Sequence, residues 1–294
     1  MVVEGQAVES PTPLAAQFSS ILLDRIANNK LILPTIPAAA TMCLQQLRDP
    51  NFEIKQIAGT LARDPVLAAQ VLRLANSAAF GKGGITSLVQ SASRIGSAKL
   101  KSLLIEVSAK KAFQSRDPGI AKMAEGIWQH SVAVAILARD ISTLSGSTDG
   151  ESAYLSGLLH DVGKPILAVI LLEAESMLSQ AGTRWIGSAA WMEIMQSTHR
   201  KVGVALAEKW NLPEVVSASI RDCDEYERGD RTSISNFVRF ANALAKREGL
   251  YVGEVNVEDN DAMIMIGRSV LGTKDEEIGR LTEGLKDRVR SSVE

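Results

Sequence analysis

Apolar residues in this chain recur at intervals of three and four, and almost nowhere at two. That period turns one face of a helix toward the interior, whereas a half-buried strand needs strict alternation, so the chain reads as nearly all helical. Capping residues, prolines and glycines cut the pattern into short pieces. "RDP" stands at Arg48–Pro50 and again at Arg63–Pro65, where Asp64 suits an N-cap and Pro65 the first helical position. "SLVQ" from Ser87 is a capping-box pattern, Gly96 stops that helix, and Ser97 opens the next. Asp64, Asn76 and Gly81 are read as shaping turns rather than binding anything.

Further helices are expected over about 120–142, 152–163, 165–180, 189–210, 213–222 and 234–247. "NKLILPTIP" is expected to be extended, because each proline biases its predecessor away from helix. The first stretch, to Ala16, is rich in Pro, Ser and Glu and is expected to fray. "EYERGDRTS" is the most loop-like segment of the second half and a candidate boundary. Beyond it, Thr273 and Glu276 form a capping box that opens one final helix with Ile278, Leu281, Leu285 and Val289 on a single face. Such a stripe must be covered by the main body or by a partner.

The balance of 32 basic against 34 acidic residues, net −2, provides no field that would gather nucleic acid or anionic lipid. The basic segment "SRIGSAKLKS" lacks interleaved aromatics, which further weakens a nucleic-acid reading. Cys43 and Cys223 form no CxxC pair, so a reducing cytoplasm is the expected setting. The opening residues lack the basic start and apolar core of a signal peptide. The longest apolar run, Ile166 to Leu172, falls short of the ~20 residues that cross a bilayer. No membrane and no nucleic-acid partner is expected.

Three histidines carry the remaining signal. His130 stands in the series Ile127, His130, Val134, Leu137, Ile141, spaced three and four, so it points inward. His199 does the same among Met192, Met195, Val202 and Leu206. His160 shares a helix face with Ala153, Gly157 and Lys164, and a mid-helix glycine, which costs about 1 kcal/mol against alanine, implies a close neighbour there. Asp161 follows it beside a break made by Gly163 and Pro165. Imidazoles and a carboxylate in apolar surroundings are the usual ligands of a borderline divalent metal, and helical bundles build such sites from separate helices.

With these residues in view, "GLLHDVGKPIL" resembles the His-Asp signature of the HD superfamily of all-helical, metal-dependent phosphohydrolases. "LPTIPAAATMCLQQLRDP", "IAGTLARDPVLAAQVLRLANSAAFG", "ITSLVQSASRIGSAKLKSLLI" and "HRKVGVALAEKWNLPEVV" are similar to the HDOD family, the HD-related output domain of bacterial signalling proteins. The resemblance implies an all-α, multi-helix HD-like bundle with an additional N-terminal helical subdomain. It divides the chain into a flexible N-terminus over 1–19, an HDOD domain over 20–225 with its two parts meeting near 115, and a C-terminal helical extension over 226–294 packed on the HD-like part. By the same resemblance, His130, His160, Asp161 and His199 match metal-ligand positions, and Lys164 would stand near a phosphate if the protein is an enzyme. Cys223 and Asp224 occupy positions where related phosphodiesterases carry paired histidines, and Asn242 stands where a closing aspartate is expected. An asparagine offers a metal only a neutral oxygen, so the site reads as eroded.

The resemblance therefore implies a non-catalytic bacterial signal-transduction module that works through regulatory protein–protein contacts, in a second-messenger pathway for example. Its signalling partner would act in trans, since the chain shows no sensor, receiver or cyclase motif, and a homodimer is a further expectation. No cofactor is expected; an occupied site would hold a divalent metal such as Mn, Fe, Mg or Zn. The alternative is a metal-dependent phosphohydrolase acting on a nucleotide or cyclic dinucleotide.

Overall fold

The computed structural model describes residues 13–28, 30–81, 84–180, 187–222, 225–227 and 229–293. Its elements are helical, with no strand among the described residues. In the first half, α1 (Pro13–Ala27), α2 (Ala38–Gln46), α3 (Ile54–Leu61), α4 (Pro65–Ala75), α5 (Leu88–Ile95) and α6 (Ser97–Ala112) follow in order, with a 3-10 turn at Ala78–Phe80. Then come α7 (Pro118–Leu144), α8 (Gly150–Leu159), α9 (Gly163–Gln180), α10 (Gly187–Lys209) and α11 (Glu214–Arg221). The chain ends with α12 (Ile234–Arg247), α13 (Val257–Leu271), α14 (Asp275–Thr282) and α15 (Leu285–Val293).

Local chemistry sets most of these ends. Asp64 accepts hydrogen bonds from the amides of Val66 and Leu67, at 3.0 and 3.2 Å, with Pro65 behind it at the first helical position. A third "RDP", at 116–118, does the same for α7, with Asp117 accepting from Ile120 N at 2.9 Å. The first copy behaves differently: Asp49 accepts from Asn51 N within a turn. Gly96 ends α5 at φ 80°, a left-handed conformation that costs a glycine little. Asn76 acts structurally, exchanging two 2.9 Å hydrogen bonds with the backbone of Ile85 across the turn that contains Gly81.

Two cores meet along α6. Its Leu100, Leu103 and Leu104 join α2 to α5 in one apolar cluster, while Ile105, Ala109 and Ala112 enter a larger cluster built around α7. The 27-residue α7 is the spine of that larger body, with α8, α12 and α15 against it. α1 does not join the first-half core. Its Leu22 packs with Leu167, Leu171 and Ile194 of α9 and α10.

The structure departs from the sequence reading at several points along the chain. Residues 13–19, expected to belong to a flexible N-terminus, already lie in α1, which is held against α10, while residues 1–12 of that expectation lie outside the described residues. A helix over 257–271 was not anticipated; its buried side, Ile264, Gly267 and Leu271, is narrow and exposed Met265 and Ile266 interrupt the apolar pattern. The expected single final helix is two, parted at Gly284, whose φ of 62° breaks the helical path. The cap that opens the first of them is shifted by one residue, Glu277 accepting from Lys274 N at 2.7 Å. Leu285 and Val289 are nonetheless buried, on α7. The stretch Gly150–Ser176 contains a window apolar enough to cross a membrane by composition, but 78% of that window is buried inside the fold.

Candidate functional site

His130 lies near the middle of α7, His160 caps the end of α8, Asp161 sits in the turn that follows, and His199 comes from α10. Glycines bring these elements together. A Cβ on Gly157 would stand 2.8 Å from Ala135 Cα, so α8 lies directly on the backbone of α7 one turn before His160. A Cβ on Gly163 would stand 1.7 Å from the His199 carbonyl oxygen, so the start of α9 touches α10 at the histidine itself. On the other side, Gly126 admits Val252 to the surface of α7, since a Cβ there would meet Val252 Cγ2 at 2.4 Å. That approach brings the 250–253 loop to His130.

All three imidazoles are fixed in the same way. Nδ1 of His130 faces Leu250 O at 2.6 Å, Nδ1 of His160 faces Gly157 O at 2.7 Å, and Nδ1 of His199 faces Met195 O at 2.7 Å. A carbonyl has no hydrogen to give, so each Nδ1 carries the proton and each Nε2 presents a lone pair. Those lone pairs converge on Asp161: His160 Nε2 is 3.4 Å and His130 Nε2 3.9 Å from Oδ2, and His199 Nε2 is 3.7 Å from Oδ1. Burial, aided by the neighbouring His160, pushes the His130 imidazole down to about 3. Burial also lowers His160 and His199, so all three rings are neutral.

Asp161 is itself buried, which taken alone raises its carboxyl. With the three rings neutral, the Lys164 ammonium beside it outweighs that and holds it well below the usual carboxylate range. Lys164 in the first turn of α9 donates to Asp161 Oδ2 at 2.6 Å, the same oxygen that faces His130 and His160. Burial works against the charge of Lys164, but Asp161 outweighs it and raises the lysine. Lys164 is thus tied into the cluster and is not a solvated helix-end side chain.

The acceptors outnumber the donors. Nε2 of His130 and of His160, and Asn242 Oδ1, are buried without a hydrogen-bond partner. His130, His160 and Asp161 offer ligand atoms within 4.8 Å of one another. Orphaned acceptors aimed at one point fit a single divalent cation held by these three residues, while His199 faces the other oxygen of Asp161. The wall where the closing carboxylate is expected holds only the neutral Asn242, and Cys223 and Asp224 lie outside the described residues.

The sequence reading placed Met192 beside His199 on the inward face, whereas Met192 is 57% exposed and only Met195 turns in. It placed Asn242 at the site but not the cationic and aromatic side chains around it. A cavity of about 310 Å³ opens from the cluster and is lined by Arg239, Asn242 and Lys246 of α12, by Arg200 of α10 and by Tyr251. Tyr251 stands edge-on to His130 at 5.2 Å, with the ammonium groups of Lys246 and Lys164 4.9 and 5.6 Å from its ring centre. The spacing of 239, 242 and 246, three and then four, was the available signal: polar residues recurring on one face of α12. A larger cavity, about 670 Å³, lies where α2 and α6 face the α10–α11 junction and contains none of the histidines.

The fold and this histidine–aspartate cluster define an all-α protein of the HD type. The sequence pattern of the HDOD domain matches residues 33–226, and the chain belongs to that family. An uncharacterized protein of Treponema pallidum is 27% identical over 214 residues, 71% of this chain; the chain spans only 39% of that relative's length. Among solved structures, a candidate metal-dependent phosphohydrolase of Shewanella amazonensis superposes with a TM-score of 0.75 at 21% identity, covering 96% of this chain and all of the other. An HDOD domain protein of Geobacter sulfurreducens gives 0.64 at 22% identity, covering 93% and 98%. At these identities the likeness establishes the fold.

Proposed function

We propose that the chain is a non-catalytic, signalling-associated HD-related module in bacteria, whose pocket binds rather than transforms and whose surface engages a protein partner in trans. One observation carries this reading: Asp161 is the only carboxylate lining the pocket among the described residues, and its Oδ2 is already held by Lys164 at 2.6 Å. A second metal finds no anionic ligand on the α12 wall, where Asn242 stands, and a first must compete with an ammonium for its carboxylate oxygen. The signalling role draws support from membership of the HDOD family.

The second reading, a metal-dependent phosphohydrolase, is favoured by the unpartnered Nε2 atoms of His130 and His160. His130, His160, Asp161 and His199 would hold one ion, which supplies Lewis acidity toward a phosphoryl oxygen when bound. Lys164 would then hold positive charge beside the phosphate. The test is metal analysis of protein purified without chelator, followed by a phosphodiester assay with added Mn2+. Absence of turnover at any metal loading supports the module; metal-dependent turnover lost in His160→Ala overturns it in favour of the enzyme.

A further inference from the structure

The pocket contains a buried charge that the cluster leaves unexplained. Arg239 is 4% exposed, set between the fully buried Phe237 and Phe240 on α12. Its Nη1 donates to Asn236 Oδ1 at 3.1 Å, but its Nε has no acceptor, and no carboxylate pairs with it among the described residues. A guanidinium cannot escape the cost of burial by losing its proton, so an uncompensated one is strongly unfavourable. Arg239 lines the 310 Å³ cavity. Among the described residues the lining also carries Lys164, Arg200 and Lys246, with Asp161, which Lys164 already engages, as its carboxylate.

We propose that the α12 wall is a binding site for a phosphate-bearing small molecule, held directly by Arg239, Lys246 and Lys164 without a bridging metal. This rests on the reading of the pocket as a binding site and names the ligand class it takes. A phosphate suits it better than a carboxylate for two reasons. It brings more than one negative charge to a wall whose buried Arg239 has no carboxylate partner among the described residues, and its oxygens match the planar fork of a guanidinium. The cavity is near the lower end of the ~300–1,000 Å³ of small-molecule pockets, which suits a compact phosphate group and not a polymer. Arg239, Asn242, Lys246 and Tyr251 all lie beyond residues 33–226, so the segment outside the family match would set what this member binds.

The test uses the full chain in EDTA, titrated calorimetrically with sodium pyrophosphate, orthophosphate and citrate at low ionic strength. Saturable pyrophosphate binding that weakens with salt is expected, tighter than citrate, and about tenfold or more weaker in Lys246→Gln. Arg239→Gln should weaken it at least as much. Since that site is buried, Lys246→Gln, whose fold is checked by circular dichroism, carries the result if Arg239→Gln is unstable. Lys101→Gln, in the larger cavity, should bind like the parent. No binding of either phosphate in EDTA, binding indifferent to both α12 substitutions, or citrate bound as tightly as pyrophosphate overturns the proposal. Phosphodiester turnover with Mn2+ on the same preparation bears on the non-catalytic reading alone, so the two can fail separately.

Discussion

Gly157→Ala sets two effects of opposite sign against each other. On helical propensity alone, alanine in the interior of α8 should stabilise by about 1 kcal/mol. The structure reverses that sign. The new Cβ would lie 2.8 Å from Ala135 Cα and 2.9 Å from Ala135 N and Val134 C, all backbone atoms of α7. Ordinary carbon–carbon contact begins near 3.5 Å, so the shortfall is about 0.7 Å. A backbone has no rotamer with which to move aside, and Val134 and Ala135 are fully buried, so α8 itself must shift outward. Overpacking of this kind falls at the upper end of the usual range, about 3 kcal/mol, leaving a net destabilisation of about 2 kcal/mol. The measurement is urea unfolding followed by circular dichroism in EDTA, with Gly59→Ala as control. Gly59 also lies within a helix, but nothing stands within 4 Å of its added Cβ, so that variant should be as stable as the parent or more so. If Gly157→Ala matches Gly59→Ala, the close approach of α8 to α7 is wrong, and with it the placement of His160.

Three further outcomes follow from the site and its supports. Because His130 is depressed to about 3 in the folded state, the unfolded chain binds more protons below the ordinary imidazole value. Stability should therefore fall as pH drops from about 6.5 toward 3, by about 1.4 kcal/mol at pH 5.5 from this residue, with His160 and His199 acting in the same direction. Urea midpoints between pH 7.5 and 5.0 in EDTA should show the slope, flattened in His130→Gln; a flat profile in the parent contradicts buried neutral rings. Asn242→Asp returns a carboxylate to the pocket and should tighten Mn2+ binding by calorimetry about tenfold or more; an unchanged affinity would mean that position 242 does not face the ion. Leu285→Ala, at 2% exposure where α15 meets α7, should cost about 2–3 kcal/mol. A cost under about 0.5 kcal/mol, the scale of surface substitutions, would show that the helix is not docked.

The sequence by itself determined the class of fold and the identity of the cluster. A three-and-four apolar period permits little but helices, Asp64 and Gly96 act over one turn, and a histidine within a stripe must face inward. The HDOD match and the HD signature lie in continuous segments, and the glycine at 157 announced a close contact without naming what it met. Only the tertiary structure decided which acceptors face one another, that Lys164 takes the Asp161 oxygen between two imidazoles, and that Leu250 on a distant loop fixes the tautomer of His130. It also revealed α13, the break at Gly284 and the cationic wall of α12. The physical reason is range: propensity, caps and periodicity are set by neighbours in the chain. The value of a buried charge such as Arg239 depends on counter-charges brought near it by other helices, and no local pattern records their distance.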